Sequence, residues 1–105
     1  MKLWVDDLRD PPDPEWMVAR NYQEAIAILE LGLVVTVSFD HDLGEEKDGH
    51  DILTWLEEQI YYDKIQPPIM TVHSANPVGR KQMELAIKRI YEREGILEQK
   101  SESGC

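Results

Sequence analysis

Cysteine is nearly absent from this chain: of 105 residues only the last, Cys105, carries a thiol. An internal disulfide framework and a thiolate metal site are therefore excluded. Long apolar runs are missing too, since no stretch approaches the roughly 20 residues that a spanning helix needs. The amino terminus reaches Asp6-Asp7 without the apolar stretch and small-residue cleavage site of a secretory signal. No membrane segment is expected, and cytoplasmic residence is the default. Basic residues are scarce, with 11 Lys and Arg against 21 Asp and Glu and a net charge of −10. Nonspecific affinity for a nucleic-acid backbone comes from lysine and arginine neutralising phosphates, so duplex nucleic acid is an unsuitable partner. Nothing in the pattern fixes an oligomeric state.

The apolar content, 42% of the chain, is enough for one modest core. One domain is expected over residues 1–97, followed by a polar, flexible tail over 98–105. Leu3 to Val5 and Trp16 to Val18 read as short strands, and Val34 to Phe39 and Ile69 to Val72 as continuous apolar runs suited to a parallel sheet. Three helical patterns alternate with them. The first has Asn21 and Glu24 as a capping box, then Ala25, Ile26, Ile28 and Leu29, and stops at Gly32. The second runs from about His50 to Tyr61, with Ile52, Leu53, Trp55, Leu56 and Ile60 on one face, and is broken by Pro67-Pro68. The third takes Asn76 as cap and Pro77 as first residue, with Met83, Ala86, Ile87 and Ile90 as its apolar stripe. This alternation predicts a three-layer α/β domain whose mostly parallel four-stranded sheet has the order 2-1-3-4, covered on both faces. The proline-rich stretch from Arg9 to Pro14 is too short for a crossover helix and predicts a loop.

Three of the apolar runs end in chemistry. The first stops at Asp6-Asp7, the third at Asp40-His41-Asp42, and the fourth at His73-Ser74-Ala75-Asn76. Ligands of open α/β sheets bind outside the carboxyl ends of the strands, so these clusters are expected to share one crevice. Asp6, Asp7, Asp40 and Asp42 brought together would repel one another, and a divalent cation offsets that repulsion. Mg²⁺ or Mn²⁺ suits such oxygen donors. For Asp7 and Asp42 the alternative is capping of a turn or helix. His41 and His73 titrate near neutrality and are candidates for a base and acid pair across a phosphodiester. Either could instead be a metal ligand or a hydrogen-bonded core histidine, with His73 the more dependent on strand register. Phosphate contacts are expected from Ser74, Asn76 and the amides opening the third helix, with Arg80 and Arg9 as clamps from either side. The alternative for both arginines is an ordinary surface ion pair.

Asp6-Asp7, Asp40, Asp48-Gly49 and Ser74-Ala75 in these places resemble the phosphorylation site of a response-regulator receiver domain. The motifs Asp6-Asp7-Leu8-Arg9, His41-Asp42-Leu43-Gly44 and His73-Ser74-Ala75-Asn76-Pro77 more closely resemble the cyclic-phosphate processing receiver domains, over nearly the whole chain. The resemblance implies a flavodoxin-like receiver fold whose acidic pocket has gained histidines and processes cyclic phosphates. The chain departs from ordinary receivers in lacking a fifth strand that ends in a lysine, since Lys88 falls inside the third helix. A phosphoryl relay through Asp40 is disfavoured without that cation. The expected function is metal-dependent hydrolysis of a cyclic phosphate, on a cyclic nucleotide or a 2′,3′-cyclic RNA end, with His41, His73 and Asp40 as catalytic residues. A binding module that captures a cyclic nucleotide without cleaving it, and a single-domain phospho-accepting receiver, are the alternatives.

Overall fold

The computed structural model describes residues 1–96. The tail expected over 98–105, Cys105 included, lies outside the described residues. Four strands, β1 (Lys2–Val5), β2 (Trp16–Ala19), β3 (Thr36–Phe39) and β4 (Ile69–Val72), form one sheet in the order β2-β1-β3-β4. Every pairing is parallel, with Val5 opposite Ala19 and Phe39, and Phe39 opposite Val72. The α/β class and the strand order are those the sequence predicts, and no fifth strand occurs among the described residues.

Helices α1 (Tyr22–Leu29), α2 (Gly49–Tyr61) and α3 (Pro77–Glu94) start at side-chain caps. Asn21 accepts the Glu24 amide at 2.9 Å, but Glu24 returns its carboxylate to the Arg20 amide at 2.7 Å, one residue short of a reciprocal box. The complete capping box belongs to α2, where Asp48 and Asp51 accept each other's amides at 3.0 and 2.8 Å. Asn76 accepts the Gly79 amide at 3.0 Å, and Pro77 fills the first position of α3, where no amide is needed. Strand β3 begins at Thr36, later than expected, although the Val35 amide already donates to the Met1 carbonyl at 2.8 Å.

Layering departs from the expectation of a sheet covered on both faces. Leu3, Val5, Ala19, Val37, Phe39, Met70 and Val72 point to one side and are buried beneath the three helices, which pack in a row with α2 between α1 and α3. Right-handed crossovers through α1 and α2 advance across the sheet in the same direction and so lie on the same face. The β1 to β2 connection runs the other way and crosses the opposite face as a loop. There the Trp4 indole donates to the Arg9 carbonyl at 3.0 Å, and Lys2 reaches Glu15 at 3.4 Å. Two layers result among the described residues, because residues 6–15 are too few and too rich in proline to make the missing helix. Ile69 and Thr71, at the other edge of that face, are exposed. No helix is long and apolar enough to cross a membrane among the described residues.

Candidate functional site

The ladder bonds continue past the strand ends and fix what stands there. Asp6 donates its amide to the Ala19 carbonyl at 3.1 Å, Asp40 to Val5 at 2.8 Å and His73 to Phe39 at 2.9 Å. Asp6, Asp40 and His73 thus extend the strands in register, two positions beyond Trp4, Ser38 and Thr71, and their side chains keep to the face without helices. Asp7 follows Asp6 in the turn. Asp6, Asp7 and Asp40 each bring one carboxylate oxygen within 4.8 Å of the others. A cleft of about 300 Å³ opens over them, lined also by Leu8, Arg9, Asp42, Gly44 and Ala75.

Asp6 is the most constrained member. Its Oδ1 accepts the amides of Leu8 and Arg9 at 2.9 and 2.8 Å, and its Oδ2 meets His73 Nε2 at 3.0 Å. Burial pushes the carboxyl up, but the Arg9 and Leu8 amides and the His73 ring together outweigh it and hold the pKa below the ordinary aspartate value. His73 is shifted down, with burial the largest cause and Asp6 and Asp40 pulling the other way. Its Nδ1 lies 2.7 Å from Ser38 Oγ, and its ring stacks on Trp4 at 3.8 Å and 5°.

His41 lies on the other side of the sheet. Continuing the parity of Val37 and Phe39, its ring turns toward the helices and rests on the first turn of α3, where a Cβ on Gly79 would come 2.5 Å from His41 Cγ. A side chain at Gly49 would run into the Asp40 carbonyl, so the loop can close back onto α2 only with glycine there. His41 Nδ1 is 2.9 Å from Asp42 Oδ1, and Nε2 is 3.5 Å from Asp48 Oδ2. The His41 hydrogen bond is the largest influence on Asp42; together with the Asn76 amide, 3.3 Å from Oδ2, it outweighs the opposing effect of burial and holds the carboxyl below its usual range.

The two histidines expected to face one another across a phosphodiester therefore sit on opposite faces of the sheet, because one extends an even and the other an odd position of its strand row. The expected phosphate ligands also have local partners. Ser74 is buried and accepts the Asn76 amide at 3.0 Å, and Asn76 engages Gly79 and Asp42. Arg80 pairs with Glu84 at 3.2 Å one turn along α3. Of the expected cationic contacts, Arg9 is the one that lines the cleft. Ser38 and Trp4 were not expected at the site. The parity that places Ser38 two residues before Asp40 on the same face was the signal available for it.

The sequence pattern of the cyclic-phosphate processing receiver domain matches residues 1–89. The chain belongs to that family. No curated protein and no solved structure matches it. In this receiver domain associated with cyclic-phosphate processing, no lysine among the described residues lines the cleft; Lys88 is exposed in the middle of α3. Neither Asp7 nor Asp40 has a salt bridge among the described residues. Three converging carboxylate oxygens are hard donors of the kind that suit a divalent ion such as Mg²⁺ or Mn²⁺.

Proposed function

We propose that the chain hydrolyses a cyclic phosphate, carried by a nucleotide or by the end of an RNA, with Mg²⁺ or Mn²⁺ held by Asp6, Asp7 and Asp40. The observation that carries this reading is the convergence of those three carboxylates in a cleft that also contains Arg9, in a member of this family. When bound, such an ion supplies positive charge for a phosphoryl oxygen and acidifies water. Arg9, from the rim, holds a second phosphoryl oxygen by charge-assisted hydrogen bonds. Asp42 lines the cleft and touches His41, so a proton passes between the bound ligand and that imidazole by way of the carboxylate. His73, with both ring nitrogens engaged, orients Asp6 and does not meet the ligand. The cleft is open enough for a small phosphate ester, and the net charge of −10 disfavours duplex nucleic acid.

Incubation with a panel of 3′,5′-cyclic and 2′,3′-cyclic nucleotides in Mg²⁺, followed by ³¹P NMR, tests the proposal. A linear monoester that forms only with enzyme and metal supports it. A raised melting temperature with intact cyclic ligand contradicts hydrolysis and points to a binding module, since a ligand selective for the native state stabilises it. A phosphoryl adduct on Asp40 after acetyl phosphate treatment points instead to a receiver that accepts phosphate.

A further inference from the structure

Ser38, His73 and Asp6 form an unbroken line of hydrogen bonds on the sheet face without helices. Ser38 Oγ is 2.7 Å from His73 Nδ1, and His73 Nε2 is 3.0 Å from Asp6 Oδ2. The same three residue types in this sequence serve elsewhere to activate a serine nucleophile, which needs a hydroxyl open to its substrate. Ser38 is only 5% exposed, in the middle of β3 between Trp4 and Thr71, and does not line the cleft. A nucleophilic role is excluded by that burial, and the line must act in the other direction.

We propose that Ser38 is a positioning residue: its hydroxyl donates to His73 Nδ1, which fixes the ring with its proton on Nε2, and that proton holds Asp6 in its place in the carboxylate cluster. Asp6 already accepts two amides on Oδ1, an arrangement that favours the ionised carboxylate, and an ionised carboxylate can only accept. His73 Nε2 must then carry hydrogen. An imidazole with its one proton on Nε2 presents Nδ1 as a bare acceptor, and the Ser38 hydroxyl, 2.7 Å away, is the donor placed to meet it. Trp4, stacked flat on the imidazole, keeps the ring plane from rotating away from either partner. Outer partners that fix a tautomer and orient a ligand typically change metal affinity by about 10- to 100-fold.

The role of Asp6 as a ligand rests on the proposed function, whereas the tautomer does not. The test has two readouts. In metal-free protein at pH 7.5, ring ¹⁵N NMR should show His73 neutral with its proton on Nε2. Ser38→Ala should lose that signature or mix it with the other tautomer, and Ser38→Thr, which keeps the hydroxyl, should restore it. Calorimetry with Mn²⁺ should show affinity falling about tenfold or more in Ser38→Ala and returning in Ser38→Thr. A wild-type ring that is protonated on Nδ1 or doubly protonated overturns the proposal. So does Ser38→Ala with an unchanged tautomer. An altered tautomer with unchanged Mn²⁺ affinity overturns the step from His73 to the cluster. If wild-type protein takes up no Mn²⁺, the proposed function loses its metal while the ring spectra alone decide the Ser38–His73 relation.

Discussion

His73 meets Asp6 at 3.0 Å and His41 meets Asp42 at 2.9 Å, yet the side chain of Asp6 is 1% exposed and that of Asp42 is 64% exposed. The two pairs contain the same groups at the same separation. Their surroundings differ. The His73 pair is anchored on four sides, by Ser38, Trp4 and the amides of Leu8 and Arg9. The His41 pair stands at the rim of the cleft, with Asp48 as a longer second contact and the bare backbone of Gly79 beneath the ring. A pair whose carboxylate is buried works as a brace, and a pair whose carboxylate stands exposed at the rim can exchange protons with what enters the cleft. Position on the sheet thus assigns the role, and residue type alone does not.

Truncating the two aspartates should separate the pairs most widely. Asp6→Ala leaves two part-buried amides and the His73 ring without an acceptor, and should cost about 2 kcal/mol in urea unfolding, whereas Asp42→Ala should cost about 0.5 kcal/mol. Equal losses would mean that the two pairs are equivalent braces.

The histidines should then split by kinetic constant. With a cyclic nucleotide that the protein cleaves, His41→Ala should lower turnover about a hundredfold with metal affinity kept, as for loss of a proton-transfer group. His73→Ala should instead lower Mn²⁺ affinity by about 10- to 100-fold, with turnover recovering at saturating metal. A His73→Ala protein that binds Mn²⁺ normally but turns over slowly would restore His73 as an acid or base.

Gly79→Ala should act on the His41 side alone. The new methyl meets the imidazole, and the repacking should cost about 1–3 kcal/mol. Ring NMR should show His41 displaced and His73 unmoved. Movement of both rings would join the two faces into one unit.

The smallest effect is in pH. His73 has its folded pKa depressed below an ordinary 6.5, so the unfolded chain takes up the proton first; stability is full above that value and falls as the pH drops from it through the folded pKa. Asp42, depressed below 3.8, contributes stability above that value that is lost only as the pH falls through its lower folded pKa. Melting temperature should therefore decline in two separate windows, and His73→Gln should flatten the upper one. An unchanged upper slope would remove burial of the His73 ring as its cause.

Most of the fold could be read from the chain because buried parallel strands appear as continuous apolar runs and two of the three helices announce their caps, Asn21 and Asn76, while the Asp48 cap of α2 went unread. The strand-end aspartates were legible for the same reason, since carboxylates directly after such runs have few structural uses. The face taken by His41 and His73 was not, because parity beyond a strand end depends on register that only the assembled sheet provides. Ser38 sat unnoticed inside β3 as an ordinary small strand residue. Ser74 and Asn76 carry the right groups for phosphate, but the turn into α3 engages them first. The open face was half legible: the short proline-rich loop excluded a helix there, and the expectation of a third layer survived that exclusion without support.

The claim on which the account depends is that Asp40 joins Asp6 and Asp7 around a divalent ion. Calorimetric titration of wild-type protein and Asp40→Asn with Mn²⁺, alongside their melting temperatures in metal-free buffer, tests it directly. Wild-type protein should bind one ion, while Asp40→Asn should bind none measurably and melt at a higher temperature without metal, because carboxylate repulsion is relieved. Equal Mn²⁺ affinity in the two proteins would contradict the account and remove Asp40 from the site.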